Sequence, residues 1–281
     1  MLKYRLTLGP ILVALLLAVL WLDQFMQHAY AWRPGIVIFA LIMLPAIRIA
    51  SIELARMFDA KGHWVSANTM FLAGVAGCLG LIATGRGSSY DDPQTRFMLV
   101  ATAGCAAVAL AMLLHAREKR PTGAIPAASA AALAFVYLGL MPGFFLALRA
   151  EHSAWVLAIA ILVVKACDIG AYATGMTIGK HKLIYWLSPG KTWEGLAGGV
   201  VLAMLVSVLL LRPLADLTPG YALLVGAVLG VVGQLGDLAI SLLKRDAQVK
   251  DAGQTLPGFG GVLDMIDSPL LAAPVAYWLL A

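Results

Sequence analysis

The residues able to do chemistry crowd into the C-terminal third of this sequence. One stretch reads Gly236-Asp237-Leu238-Ala239-Ile240-Ser241-Leu242-Leu243-Lys244-Arg245-Asp246 and continues to Lys250-Asp251. It then runs Leu256-Pro257-Gly258-Phe259-Gly260-Gly261-Val262-Leu263-Asp264-Met265-Ile266-Asp267-Ser268. Asp237, Ser241, Lys244 and Arg245 fall at i, i+4, i+7 and i+8, a polar stripe on a helix otherwise made of Leu, Ile and Ala. Asp264 and Asp267 are i, i+3 neighbours entering an apolar run after a glycine-rich turn. Carboxylates converging from two helices suit a hard divalent ion, and Mg²⁺ shared with substrate phosphates is the usual pattern. A solvated charge run at a helix end is the plainer account. The apolar surroundings of Asp264 and Asp267 argue against it.

A second stretch lies upstream. Asp168, Tyr172, Gly175 and Gly179 fall at i, i+4, i+7 and i+11, one helix face that is polar at its start and small at its end. Either a ligand or a packed helix fits such a face, and Lys165 can pair with Asp168 at i, i+3. Lys180 follows, and then Ser188-Pro189-Gly190-Lys191-Thr192-Trp193-Glu194. Hydroxyls, a lysine and free amides at a helix start suit an anionic phosphate. A turn with an N-cap explains Ser188 and Thr192 equally well.

These groups must be held by elements that live in lipid. The chain has 281 residues, 61% apolar and 12% charged, with a mean hydropathy of +0.88. Soluble domains carry about 25% charged residues, so a water-soluble fold could not cover its own surface. Net charge is +5 and the isoelectric point about 9.2. With no basic stretch interleaved with aromatics, that charge points to anionic lipid headgroups and not to nucleic acid. Cys78, Cys105 and Cys167 lie in apolar runs without a C-x-x-C pair, which argues against a disulfide framework or a zinc site.

A bilayer core needs about 20 apolar residues in a helix. That ruler gives nine spans, at 7–26, 34–51, 68–84, 97–115, 125–148, 153–178, 194–212, 220–243 and 261–280. The runs are apolar on all faces without period-2 alternation, so helices and not a barrel are expected. With the N-terminus cytoplasmic, the inner segments hold Lys3, Arg5, Arg48, Arg56, Lys61, Arg117, Lys119, Arg120, Lys180, Lys182, Lys191, Lys244, Arg245 and Lys250. Only Arg33, Arg86, Arg96, Arg149 and Arg212 fall on the other side, the asymmetry of an N-in, C-out protein. Lys3, Arg5 and Ala29-Tyr30-Ala31 have the look of a cleavable leader. The polar-aromatic Trp21, Asp23 and Gln24 favour a retained first span. Between spans 2 and 3, Ile52 to Phe58 mixes charge and apolar residues as an interfacial helix would. The expectation is an all-α, polytopic integral membrane protein forming one domain over 1–281. Residues 1–150 form its scaffold and 151–281 its catalytic helices.

On the quoted motifs, the chain resembles the phosphatidate cytidylyltransferase (CDP-diacylglycerol synthase) family. The family signature is similar to S-x-x-K-R-x4-K-D-x5-P-G-H-G-G-x-x-D-R-x-D. Ser241, Lys244, Arg245, Lys250, Asp251, Pro257, Gly258, Gly260, Gly261, Asp264 and Asp267 match it. The blocks around Asp168, Tyr172 and Lys180, and around Ser188, Lys191 and Thr192, match as well, so the likeness spans roughly residues 165–270. Phe259 stands where the family has histidine and Met265 where it has arginine.

The resemblance implies transfer of the cytidylyl group of CTP to phosphatidic acid, with pyrophosphate released. It implies a metal site of Asp237, Asp264 and Asp267 for Mg²⁺, with room for a second cation. Ser241, Lys244, Arg245 and Lys250 would steady the triphosphate, with Lys180 and Lys191 as further contacts. Asp168, Tyr172, Ser188, Thr192 and Asp251 join the substrate-binding set. The expected setting is a bacterial inner membrane with the site facing the cytoplasm, membrane lipids as neighbours, no nucleic acid, and a homodimer as one assembly. Phosphatidate is largely dianionic at neutral pH, since a phosphate monoester has a second pKa of about 6, so its attack needs no strong base. Other readings are a nucleotide-dependent polyprenol or phytol kinase, a transporter relaying ions through Lys165, Asp168 and Asp237, and an inactive paralogue marked by Phe259 and Met265.

Overall fold

Apolar chain in lipid must satisfy its own backbone hydrogen bonds, and a helix does so within one segment. The computed structural model describes residues 2–83, 92–117, 119, 121–255, 258 and 260–281. Arg86, Arg120, Leu256, Pro257 and Phe259 lie outside the described residues, as do the side chains of Lys3 and Arg5. The helices are α1 (Thr7–Tyr30), α2 (Ile36–Ala60), α3 (Ala67–Ala83), α4 (Gln94–Ala116), α5 (Ala124–Glu151), α6 (Ala154–Ile178), α7 (Trp193–Ala215), α8 (Pro219–Asp246) and α9 (Val262–Leu280). All but α3 are long and apolar enough to cross a membrane, which makes eight such helices among the described residues. The 17 residues of α3 reach only about 25 Å. In order and position the helices follow the nine expected spans. The protein is an all-α polytopic membrane protein.

Two local expectations fail. Ile52 to Phe58 form no separate interfacial helix, because α2 runs unbroken through them and buries Glu53, Leu54 and Met57. The segment after α6 is more than a loop: β1 (Lys182–Ile184) and β2 (Ser188–Thr192) pair as an antiparallel hairpin, Lys182 opposite Thr192 and Ile184 opposite Ser188.

Three helices widen into π turns, at Phe39–Met43 in α2, Ala134–Leu140 in α5 and Ser207–Leu211 in α7. Each ends two residues before a proline: Pro45, Pro142 and Pro213. Proline lacks an N–H, and its ring presses on the carbonyl four residues back. Those carbonyls belong to Leu41, Leu138 and Leu209, all inside the π stretches. Widening the turn relieves the clash. Pro10, Pro269 and Pro274 sit in helices without such a turn, so proline alone does not dictate it.

Near the start of α6 a polar latch ties the N-terminal helix to the body. Arg149 (1% exposed) donates Nε to Oδ2 of Asp23 (2% exposed) at 2.8 Å. Asp23 also accepts the Gly35 and Val37 amides at 3.0 and 3.1 Å. The rest of the guanidinium reaches Gln27 Oε1 at 2.6 Å and the His152 carbonyl at 2.9 Å. Each of the three guanidinium nitrogens has an acceptor, which burial of a charge requires.

Candidate active site

At the other end of α6, a cavity of about 430 Å³ lies between α6, the hairpin, the start of α7, and α8. Its lining mixes polar side chains, Asp168, Ser188, Lys191 and Asp237 among them, with the apolar Met176, Leu183 and Leu196. Glu194 clamps the hairpin base to α7 by accepting the Lys180 and His181 amides at 3.2 Å. Thr192 caps α7, its Oγ1 accepting the Gly195 amide at 3.1 Å. Serine, lysine and threonine are thus delivered to a helix start, as their spacing suggested. Between α8 and α9 the approach is closest at Gly236, where a Cβ would come within 2.6 Å of the Asp267 carbonyl. That contact brings Asp237 and Asp267 to the same place.

The charged groups form one continuous chain. Lys191 Nζ lies 2.7 Å from Asp237 Oδ2 and donates to Gln234 Oε1 at 2.9 Å. Gln234 donates Nε2 to Asp168 Oδ1 at 2.7 Å. Asp168 Oδ2 receives Lys165 Nζ at 3.2 Å, the i, i+3 pair expected from sequence. Ser268 Oγ stands 3.0 Å from Asp168 Oδ2 and 3.2 Å from Asp267 Oδ1, its single proton serving one of them. Asp267 Oδ1 also accepts the Ser268 amide at 2.6 Å and faces Lys165 Nζ at 3.9 Å. Three carboxylates from α6, α8 and α9 are therefore compensated by two lysines. Sequence reasoning assigned no role to Gln234 or Ser268, because an uncharged residue in an apolar run gives no signal of its partners.

Asp264 does something different from its i, i+3 neighbour. Its Oδ1 takes Lys244 Nζ at 2.8 Å, while Oδ2 accepts the Gly261 and Ala252 amides at 2.9 Å. It caps its own helix and fixes the signature loop, in which Gly258 and Gly260 hold positive φ of 87° and 90°. Glu53 of α2 completes this arrangement from the N-terminal half. It is 1% exposed and accepts Thr255 Oγ1 at 2.7 Å, and the Val262 and Leu263 amides at 2.9 Å each. These are orphan donors at the start of α9, the helix that carries Asp264 and Asp267. Glu53 is a positioning residue that its sequence context disguised as part of an interfacial stretch.

Glu53→Gln should expose its role. One amide NH₂ would face backbone N–H donors, leaving a buried group unpaired at a cost of about 1–3 kcal/mol. A lower melting temperature in detergent is expected, with turnover reduced about tenfold or more as the start of α9 shifts. Unchanged melting and turnover would remove Glu53 from the site's support.

Other expected site residues are not gathered in. Tyr172 lines the cavity but is largely exposed. Ser241 offers Oγ to Asp237 Oδ1 at a long 3.4 Å. Arg245, Lys250 and Asp251 are exposed, as is Lys180, and none is among the described residues lining the cavity. Met265 is half-buried beside Asp264 in sequence.

The donor chemistry fits a hard cation. Asp237 and Asp267 supply carboxylate oxygens from facing helices, with Asp168 alongside. Among the described residues, no three His, Cys, Asp or Glu gather closely enough to form a complete cage. Mg²⁺ does not need one, because it is held by one or two carboxylates together with water and substrate phosphates. Asp264 joins such a site only by releasing Lys244 and the loop amides.

Fold and site together define a membrane-embedded helical protein with a lysine- and carboxylate-lined pocket where its helices end. The chain belongs to the cytidylyltransferase family, whose model matches residues 3–281. It is 42% identical over 152 residues to the phosphatidate cytidylyltransferase of Bacillus subtilis (strain 168), covering 53% of this chain and 56% of that protein. It is 38% identical over 137 residues to the phosphatidate cytidylyltransferase of Mycobacterium tuberculosis (strain ATCC 25618 / H37Rv), covering 49% and 41%. An uncharacterized protein of Escherichia coli (strain K12) is 40% identical over 142 residues, covering 46% and 48%. The chain spans about half the length of the curated relatives it matches.

Proposed function

We propose that this protein is a nucleotidyltransferase that joins the cytidylyl group of CTP to phosphatidic acid, giving CDP-diacylglycerol and pyrophosphate. The observation that carries the reading is the mixed lining of the cavity. Lys191, Asp237 and Asp168 share it with Met176, Leu183 and Leu196, which suits a substrate with an anionic head and an apolar tail. The names of the relatives point to the same substrates.

In this reading a phosphatidate oxygen attacks the α-phosphorus of CTP, and the bond to the pyrophosphate oxygen breaks. The dianionic phosphate needs no base, so the obstacle is repulsion between two anions. Lys191 and Lys165 oppose that repulsion, and Asp237 and Gln234 hold the Lys191 ammonium in place. Mg²⁺, with a second cation as a further expectation, adds charge neutralisation when held by Asp237 and Asp267, with Asp264 available on release of Lys244. Ser241, Lys244, Arg245, Lys250 and Lys180 are proposed triphosphate contacts. The exposed ones among them reach it by swinging long side chains.

The test is purified protein with labelled CTP, phosphatidate and Mg²⁺, scored for a CDP-lipid. A lipid carrying only the γ-phosphate would identify a kinase instead, and no product of either kind would overturn the reading. Light scattering in detergent reports whether the working unit is a homodimer.

The site is proposed to face the cytoplasm of a bacterial inner membrane, since CTP is soluble and the cations concentrate on that side. Cysteines placed at Ser188 and Gln248 should then react only from the cytoplasmic side, and at Asp92 and Asp216 only from outside. Labelling of position 248 from outside would reverse the orientation.

A further inference from the structure

Lys165 precedes the first motif of the family likeness, and no motif assigns it a role. On an isolated helix it would pair with Asp168 at i, i+3 and do no more. The fold gives it more to hold. Its ammonium stands 3.2 Å from Asp168 Oδ2 and 3.9 Å from Asp267 Oδ1, a carboxylate of a different helix. Ser268 Oγ approaches the same two oxygens, at 3.0 and 3.2 Å. One ammonium and one hydroxyl thus gather a carboxylate oxygen from α6 and another from α9.

Two carboxylate oxygens and a hydroxyl oxygen are hard donors of the kind that divalent ions take. The place between them already holds a positive charge, and that charge cannot diffuse away, because its stem is fixed three residues from Asp168. Neighbouring groups keep both carboxylates aimed at it. Gln234 Nε2 ties Asp168 Oδ1 at 2.7 Å, and the Ser268 amide ties Asp267 Oδ1 at 2.6 Å. Among the described residues the contacts of Asp267 all fall on Oδ1, which leaves Oδ2 to a mobile ion. A second divalent ion between Asp168 and Asp267 would lie against the ammonium, and like charges at that range repel strongly.

We propose that Lys165 is a tethered cation of the active site. Its ammonium occupies the second cation position, between Asp168 and Asp267, so the protein takes up one divalent ion where its carboxylates could otherwise hold two. This deepens the function proposed above and rests on it. A charge built into the chain offsets the repulsion between two anionic substrates at any Mg²⁺ concentration, and it is in place before they arrive. Lysine suits the task, being a compact point charge on a stem flexible enough to follow small shifts of the carboxylates.

The test counts ions on the purified full chain in detergent, with Mn²⁺ as the probe and its free concentration read by electron paramagnetic resonance. Lys165→Met removes the charge and keeps much of the stem. It should bind one more Mn²⁺ per chain than the wild type, whereas Lys165→Arg, which keeps the charge, should match the wild type. A plain helix-stabilising pair would lower the melting temperature without adding an ion. Equal counts in the wild type and Lys165→Met would overturn the proposal, and so would two ions on the wild type, a result that needs no variant. If Lys165→Met shows no melting transition, Lys165→Gln replaces it, with the same counts expected. Turnover of the uncharged variant should fall about tenfold or more at limiting Mg²⁺ and recover in part as Mg²⁺ is raised. Full turnover at limiting Mg²⁺ would also reject the role. Should the wild type make no CDP-lipid, the functional reading fails separately, and the Mn²⁺ count alone decides whether Lys165 fills a cation position.

Discussion

Asp237→Asn is expected to lower CDP-lipid formation by roughly 10²- to 10³-fold while leaving the protein folded. The amide keeps the shape of the carboxylate, so α8 and its packing on Asp267 should persist. What goes is the counter-charge 2.7 Å from Lys191 and one hard oxygen ligand. Lys191 would keep only the Gln234 oxygens, and the ammonium would lose the anchor that aims it across the cavity. Initial rates over a range of Mg²⁺ concentrations, with melting curves as a folding control, measure the effect. Turnover within twofold of wild type at every concentration would place the chemistry elsewhere.

The second large effect concerns stability. Arg149→Met should destabilise the protein by about 3–5 kcal/mol, because it strands Asp23 as a buried charge. On soluble-domain scaling that is a fall of the melting temperature on the order of 10 °C. Activity per folded molecule should hardly change. Asp168 lies fourteen residues along α6 from its start at Ala154, roughly 21 Å from the latch end. The double variant Asp23→Asn with Arg149→Met should recover part of the loss, since no unpaired charge remains. A single variant as stable as wild type would mean that water reaches Asp23.

The apolar runs made the spans legible, because a bilayer imposes length and composition on every crossing helix. The spacing of Asp168, Lys191, Asp237 and Asp267 marked groups that the structure does bring together. What spacing could not convey is which neighbour answers each face. Asp264 and Asp267 look alike on a helical wheel, yet one caps the helix and the other faces Lys165. Arg245 follows Lys244 directly, and among the described residues only Lys244 finds a carboxylate. Glu53 lies more than 200 residues from the amides it holds, so no local pattern could announce it.

Those π turns also bear on how the sequence can change length. Removing a residue from an α-helix rotates everything beyond it by about 100°, which for a packed span misdirects a whole face. A π turn already winds in one residue more than its α-helical neighbours need. Losing one residue there, together with its proline, lets the helix close up as ordinary α while both ends keep their partners. In α5 those partners are the Ala134 end against Gly74 and the Arg149 end on Asp23. Residues 39–43, 134–140 and 207–211 are therefore the places within otherwise length-locked spans where a one-residue deletion is tolerable.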